Sequence, residues 1–368
     1  MFHNLKTGIL YRNPSPHLKS VHAYFPSVVV MANGEMLASF VLGEGFESVN
    51  LHTHRARSTD YGETWAYEGE LYRKPENCLV SDFARIARMP DDSIIALISQ
   101  SDRSAHPDEG LANPATMGFA PTELFTIRSA DYGKTWTSPE KIDSPLGNTS
   151  LELCAPITPL SGGRCLIPTS TWRDWNGNDH HGHRMVALVS HNNCHTWPEY
   201  VDIMVDPEQQ HYYWESKIIE LPDGGLLAVA WVHNHEKNKD LPNHYALSKD
   251  GGNSWTEPES TGLLGQTLTP FLIENNRILC IYRRMDKPGL WASISRLDGT
   301  QWINESHYPL WGYGATGLTG SSDNMAHNFN VLKFGAPCIT RLPDGSIFTA
   351  FWCYEQCVSG IRWFRFTV

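Results

Sequence analysis

The segment Tyr212-Tyr213-Trp214-Glu215 places a carboxylate behind three aromatic residues and ahead of a strongly apolar run. An ionised carboxylate in such surroundings is costly unless partnered, so Glu215 reads as a functional group. Groups of complementary chemistry recur beside the ends of other apolar runs. They are the carboxylates Asp82 and Glu152, the imidazoles of His22, His52, His54, His211 and His233, and the guanidinium groups of Arg55, Arg85, Arg283 and Arg284. Tyr24, Tyr212, Trp231 and Tyr354 add rings. Two carboxylates, or a carboxylate with a tyrosine, are what glycosidic bond hydrolysis requires. Imidazoles transfer protons near neutral pH. Rings stack on the apolar face of a sugar, while charged groups satisfy its hydroxyls or a carboxylate. Glu215, Asp82, His54, His52 and Tyr24 are therefore the catalytic candidates, and the remaining residues are candidates for substrate binding.

Two of these clusters have competing readings. His180-His181-Gly182-His183 has the residue types of a metal site, but near-adjacent histidines in a loop are also commonly solvated, and no metal or other cofactor is expected. Arg283-Arg284 ends an apolar strand pattern, so one side chain should point inward and the other away.

The elements that must position these groups are legible as repeats. Ser58-Thr59-Asp60-Tyr61-Gly62-Glu63-Thr64-Trp65 recurs at 129–136, again at 248–255, and in worn form at 190–197. Asp or Asn at the third place closes a turn by accepting backbone N–H groups. Gly at the fifth supplies a positive φ, and Trp fastens the turn to a neighbouring sheet. These octamers are structural staples without reactive chemistry.

A second repeat is a hairpin with a polar two-residue turn between apolar runs. It occurs at 26–40, 83–98, 153–167, 216–232, 268–282 and 337–351, around Asn33-Gly34, Asp91-Asp92, Gly162-Gly163, Asp223-Gly224, Asn275-Asn276 and Asp344-Gly345. Turns of this kind between apolar runs are the strongest short hairpin signal. They recur roughly every 50–70 residues, which is one four-stranded blade plus a loop. Six hairpins predict an all-β, six-bladed propeller of four-stranded antiparallel sheets forming one domain over 1–368. Residues 360–368 supply one more strand to the sixth blade, with Arg362, Phe364, Phe366 and Val368 on the face expected to be buried. Residues 7–12 supply the outer strand, so that strands from both ends remove an exposed sheet edge.

In such a blade the first strand starts, and the second ends, on the face opposite the octamer turns. Function is expected there, on loops carried by a rigid scaffold. His22, Tyr24, Asp82, Arg85, Glu152, His211 and Glu215 precede or open first strands, as do His327 and Asn328. His52, His54, Arg55, Asp102, Arg103, Arg173, Arg184, His233, His235, Arg283, Arg284, Tyr354 and Glu355 follow second strands. The expectation is one central cup that gathers Glu215, the imidazoles around His54 and the arginine pair.

Composition narrows the partners. The 368-residue chain has a formal net charge of −11 and no basic run, which argues against nucleic acid and anionic membranes. It shows neither an apolar stretch of spanning length nor a charged-then-apolar leader. Several of the eight cysteines, including Cys154, Cys165, Cys280, Cys338 and Cys353, sit inside strand patterns as small hydrophobes. Unpaired thiols in a reducing compartment, with cytoplasm as the default, are the expectation.

With four octamers and six hairpins, the whole chain resembles the sialidase superfamily of six-bladed propellers with Asp-box, or BNR, repeats. Trp214-Glu215-Ser216-Lys217 up to Asp223-Gly224 resembles the blade-four segment whose Glu activates a tyrosine nucleophile, and the resemblance gives Glu215 that role. Elsewhere the pattern departs. The first strand reads Tyr24-Phe25-Pro26 where the family has an arginine that grips the sialic acid carboxylate. The acid/base aspartate region reads Leu51-His52-Thr53-His54-Arg55, the blade-four arginine is replaced by Trp231, and Phe334-Gly335-Ala336-Pro337 stands where the nucleophilic tyrosine would precede the blade-six strand. A clamp of bidentate arginines is not replaced by Phe and Trp without losing its carboxylate ligand.

The expected activity is therefore an exo-acting glycoside hydrolase of altered, non-sialic-acid substrate, with uronic-acid glycans among the candidates. Glu215 would work with Asp82 or Glu152. A polysaccharide lyase using His and Tyr, and a non-catalytic glycan-binding propeller, are the alternatives. The partner is an oligosaccharide or glycoconjugate in each case.

Overall fold

A computed structural model describes residues 2–74, 78–320, 322 and 325–368. It is an all-β, six-bladed propeller of antiparallel sheets, with a single four-residue α-helix, Met325–Asn328, among the described residues. All six expected hairpins are present, and in blade three the first strand is split into Ser150–Glu152 and Thr158–Pro159, both paired with Cys165–Trp172.

The chain divides into two compact units. The first comprises Met1–Asn113, Ala120–Ile142 and Lys333–Val368 and carries blades one, two and six. Blade one is His22–Val30, Met36–Gly43, His52–Ser58 and Ala66–Glu70, and blade two runs from Val80–Arg88 through Ile94–Asp102 and Thr122–Ser129 to Glu140–Lys141. Blade six takes Phe334–Arg341, Ile347–Glu355 and Val358–Thr367, and His3–Tyr11 is added as its outer strand. The second unit, Pro114–Phe119 and Asp143–Leu332, carries blades three, four and five, which begin at Ser150–Glu152, His211–Glu220 and Gly265–Leu272.

Within each unit, middle strands are apolar on the faces that neighbouring sheets cover. Met36–Gly43 is buried throughout. Leu37, Ile86, Ile94 and Ile98 fill the layer between blades one and two, while Leu227, Val229, Ile278 and Cys280 fill that between blades four and five. The same principle corrects one expectation. In Val358–Thr367 both faces are buried, Ile361 and Trp363 as fully as Phe364 and Phe366, because the strand lies third in its sheet with His3–Tyr11 beyond it.

The octamers occupy the turns between third and fourth strands. Asp60 accepts the Thr64 N–H at 2.9 Å and the Thr64 hydroxyl at 2.6 Å, and Trp65 donates its indole N–H to the Gly62 carbonyl at 3.0 Å. Gly62 has φ +85°, and a Cβ there would lie 2.4 Å from the Phe348 ring of the neighbouring blade. Both backbone conformation and packing therefore demand glycine. Gly62→Ala is expected to destabilise the protein by roughly 2–4 kcal/mol, read from urea unfolding, and an unchanged midpoint would contradict this account.

Candidate functional site

Glu215 owes its position to a bulge. Pairing between His211–Glu220 and Leu226–Asn234 slips between Trp214 and Lys217, and Glu215 takes φ +54°. The first strands of blades one, five and six slip in the same way, with Phe25, Thr267 and Ala336 at positive φ. A bulge of this kind re-aims a side chain and leaves a backbone N–H outside the ladder. In the second unit, carboxylates of the preceding blade take up those N–H groups. Glu215 N donates to Glu152 Oε2 at 2.6 Å, and Thr267 N donates to Glu215 Oε2. One blade thus hands its carboxylate to the next.

Glu152 and Glu215 form an electrostatically coupled pair. Both retain accessible surface although protein surrounds them. Burial pushes the Glu152 carboxyl up to about 7, reinforced by the charge of Glu215 and opposed by the Glu215 N–H and Lys217. Glu215 is also raised by burial, against the opposing effects of Arg283, Lys217 and the Thr267 N–H. A carboxylic acid that stays protonated near neutral pH beside a second carboxyl is the arrangement of an acid/base pair.

Arg283 is buried and held by a chain of side chains. Its Nε donates to Gln266 Oε1 at 3.1 Å, Gln266 Nε2 donates to Asp240 Oδ2 at 3.1 Å, and His233 Nδ1 lies 2.9 Å from Asp240 Oδ1. Arg284 turns the other way, forming a bidentate pair with Asp286 at 2.6 and 2.8 Å and lying over the Trp291 ring. The expected division of the arginine pair is observed.

An aromatic wall is built around Trp214, the residue before Glu215. Trp214 stacks on Trp172 with centroids 5.0 Å apart and on His233 at 5.6 Å, with Trp231 at 4.6 Å. Tyr212 stacks on His183 at 4.1 Å and accepts a hydrogen bond from Arg173 at 2.7 Å. His211 pairs with Asp206 at 2.8 Å. His180 is exposed and His183 is buried against Tyr212, and among the described residues no cluster is placed to hold a metal ion.

In the first unit the candidates adopt different surroundings. Asp82 has no accessible surface. It binds His52 Nδ1 at 2.7 Å and accepts the Thr53 N–H and hydroxyl at 3.1 and 2.9 Å, tying the third strand of blade one to the first of blade two. His52 Nε2 meets the Tyr72 carbonyl at 3.1 Å, so both its ring nitrogens are engaged. His54 is lowered to about 4 by burial, with the neighbouring His52 adding to the effect, and its Nδ1 meets the Tyr67 hydroxyl at 2.8 Å. Both imidazoles lie on the third strand, His52–Ser58. Tyr24 is buried edge-on against Trp352 and Phe46, and burial raises its phenol. His22 stacks between Tyr24 and Tyr354, accepting the Ser359 N–H at 3.0 Å. Arg85 donates to the Pro26 carbonyl at 2.9 Å, beneath the blade-one bulge, and Arg55 pairs with Glu68 at 3.3 Å.

Sequence reasoning passed over Lys217, Asp240, Gln266 and Thr267. Lys217 stands in the quoted Trp214-Glu215-Ser216-Lys217 segment, two places from Glu215, and that spacing was a usable signal. The other three are brought to the site by register and by the blade-five bulge, for which the sequence carries no mark.

The Glu152 shift has a stability consequence. Its folded pKa lies above the unfolded value, so between about pH 4.5 and 7 the folded state holds more protons and stability falls as pH rises through that window. Glu152→Gln should remove on the order of 2 kcal/mol of that fall, measured as the difference in unfolding free energy between pH 5 and pH 8. Glu47, raised by burial to about 7 in the first unit, and Glu215, also raised by burial, will sustain the remaining slope. An identical slope in variant and parent would refute the assignment.

No family model matches the chain. It is 26% identical over 277 residues, 67% of each chain, to a sialidase of Clostridium perfringens. Among solved structures it superposes on a Dyadobacter fermentans protein of unknown function with TM-score 0.74 at 19% identity, covering 99% of both chains. The NanB sialidase of Streptococcus pneumoniae gives 0.68 at 12% identity, over 98% of this chain and 70% of that one. The alpha-L-arabinanase of Penicillium chrysogenum, complexed with arabinobiose, gives 0.65 at 15% identity, over 98% and 97%. The fold is thus one shared with glycoside hydrolases. In sequence and in fold the chain is similar to sialidases.

Proposed function

We propose that the protein is an exo-acting glycoside hydrolase whose substrate is a glycan other than a sialoside. The observation that carries this reading is the Glu152–Glu215 pair, two carboxyls joined through the 2.6 Å contact of the Glu215 N–H and set beside Arg283 and an aromatic wall. Glu152, held protonated toward neutral pH, serves as the acid that donates to the departing glycosidic oxygen. Glu215 serves as base or nucleophile on the anomeric carbon, with Lys217 and Arg283 steadying its ionised form. The sialidase similarity supports a carbohydrate substrate. Trp231 and Phe25, at the places where the resemblance expects arginines, speak against sialic acid itself. Neutral glycans and uronic-acid glycans both remain within that class.

Elimination is the weaker reading. It would need an imidazole free to take a proton, and His52 uses both nitrogens while His54 is anchored to Tyr67. All eight cysteines are free, which supports the further proposal of a reducing, cytoplasmic setting. The test is a screen of the purified protein against plant, algal, microbial and host glycans with product masses recorded. A gain of water is expected. Products carrying an ultraviolet-absorbing C4–C5 double bond would replace hydrolysis by elimination, and no turnover of any glycan would reject the enzymatic reading.

A further inference from the structure

Two loops of blade five enclose a cleft that the proposed chemistry does not use. One joins Arg277–Arg284 to Leu290–Asp298, and the other follows Gln301–Trp311. The cleft lies wholly in the second unit, has a volume of about 340 Å³, and is lined by residues 284–289 and 315–319. A volume of this size falls at the small end of ligand pockets. Backbone contacts set its base. Arg284 N donates to the Gly289 carbonyl at 3.1 Å, and Leu290 pairs with Trp311. Gly289 has φ +99°, and a Cβ there would overlap the Trp311 carbonyl, while Leu318 packs on Gly312.

Positive charge exceeds negative in this cleft. Arg284 spends Nε and Nη2 on Asp286, at 2.6 and 2.8 Å, and its Nη1 makes no hydrogen bond yet remains accessible. Hydrogen bonding from Arg284 holds the Asp286 carboxyl below its usual range, so that carboxylate is ionised. Lys287 is exposed and forms no ion pair among the described residues. Both cations lie over the Trp291 ring, 4.7 and 5.6 Å from its centroid. His307 is held below its ordinary pKa by burial first, then by Arg284 and Lys287 against Asp286, and adds no charge near neutral pH. Two cations thus stand against one anion. On the facing wall Thr316, Gly317, Leu318 and Thr319 make no hydrogen bond among the described residues, which leaves their N–H groups and two hydroxyls unspent. Accessible donors lining one cleft with a surplus of positive charge are the means by which proteins hold oxyanions.

Resting on the glycan-processing reading above, we propose that the cleft holds an anionic substituent, a carboxylate or a sulfate ester, on the part of the glycan beyond the ring at Glu215. Lys287 supplies the unpaired charge and Arg284 Nη1 a directed donor, with the Thr316 and Thr319 hydroxyls opposite. Arg283 and Arg284 are consecutive at the end of Arg277–Arg284 and turn to opposite sides of it. A glycan chain that crosses this strand end meets Arg283 on one side and the cleft on the other. The substrate class is thereby narrowed to acidic oligosaccharides whose charge lies on a residue other than the one released.

The full-length protein is to be applied to an array of neutral, uronate-bearing and sulfated oligosaccharides. The best hit is then compared by calorimetry with its neutral counterpart, desulfated or carboxyl-reduced. Hits among the acidic chains are expected, and the series that supplies them tells sulfate from carboxylate. The neutral counterpart should bind about tenfold more weakly at low salt, with the difference shrinking at high salt. Lys287→Gln should weaken the acidic ligand about fivefold and leave the neutral one unchanged, whereas Asp286→Asn, which removes the competing carboxylate, should tighten the acidic ligand about fivefold. A merely structural role for the loop would not move the two variants in opposite directions. Sodium sulfate alone should bind more weakly than the glycan. Hits confined to neutral chains, equal affinity for the two counterparts, acidic-ligand affinity unchanged by Lys287→Gln or loosened by Asp286→Asn, sulfate alone binding as tightly as the glycan, or no glycan binding at all would each overturn the proposal. Acidic chains that bind through Lys287 and are not cleaved would leave it standing and reject the hydrolase reading instead.

Discussion

Glu215→Gln is expected to lower kcat by about 10³-fold or more on whichever glycan the protein cleaves, the range for losing a positioned acid/base or nucleophilic group. The substitution is close to a pure test of charge. A glutamine oxygen can still accept the Thr267 N–H, so the bulge and the join between blades four and five persist. What disappears is the anion that Arg283 and Lys217 face. Glu152→Gln should behave differently. Without the acid, glycans with poor leaving groups slow by a similar factor, while aryl glycosides with acidic phenols, which depart unassisted, should retain most of their rate. Turnover of both variants on both substrate types, with thermal unfolding as a check on folding, decides the roles. A Glu215→Gln enzyme within tenfold of the parent would remove Glu215 from the chemistry.

The second large effect is on stability. Arg283→Met should destabilise the protein by on the order of 3 kcal/mol, because it leaves the partly buried Glu215 and Asp240 without the guanidinium that faces both. The loss arises mainly from the charges left behind, since the methionine fills much of the same space. Asp240→Asn placed on top of Arg283→Met should therefore recover part of it, and a double-mutant cycle in urea measures how much. Removing the guanidinium also removes the largest influence holding the Glu215 carboxyl down, so its titration should move higher still. A loss below about 1 kcal/mol, or strict additivity with Asp240→Asn, would show that the guanidinium does not compensate those carboxylates.

The fold was legible because its signals are local. A turn such as Asp223-Gly224 or an octamer such as 58–65 specifies its own geometry within a few residues, and such units repeat at intervals that only a blade explains. The N-terminal strand was found by elimination, at 7–12, and in the structure it begins earlier, at His3. Glu215 stood out because an acid amid aromatic residues is conspicuous, and Glu152 was found among the residues opening first strands. Glu152 was named with Asp82 as a partner for Glu215, but the backbone contact that joins it to Glu215 was not legible. It depends on a slip of register at Trp214, and one bulged residue overturns the alternation from which side-chain direction is read. His52 and Asp82 illustrate the converse. Their residue types fit proton transfer, yet the two lie 2.7 Å apart in a fully enclosed contact between blades one and two. Residue type alone cannot separate a buried polar hub from a reactive group, because both need the same partners.

Blade six joins segments far apart in the sequence, since His3 pairs with Thr367 and Gly8 with Trp363. A nascent chain must therefore carry His3–Tyr11 unmatched until Val358–Thr367 has emerged from the ribosome. Every other sheet can assemble from neighbouring segments in the order of synthesis, whereas this one waits until the strands of the other five have been made. Non-local pairing of this span is slow to form and leaves a strand edge open meanwhile, so the docking of His3–Tyr11 should follow the formation of the other sheets.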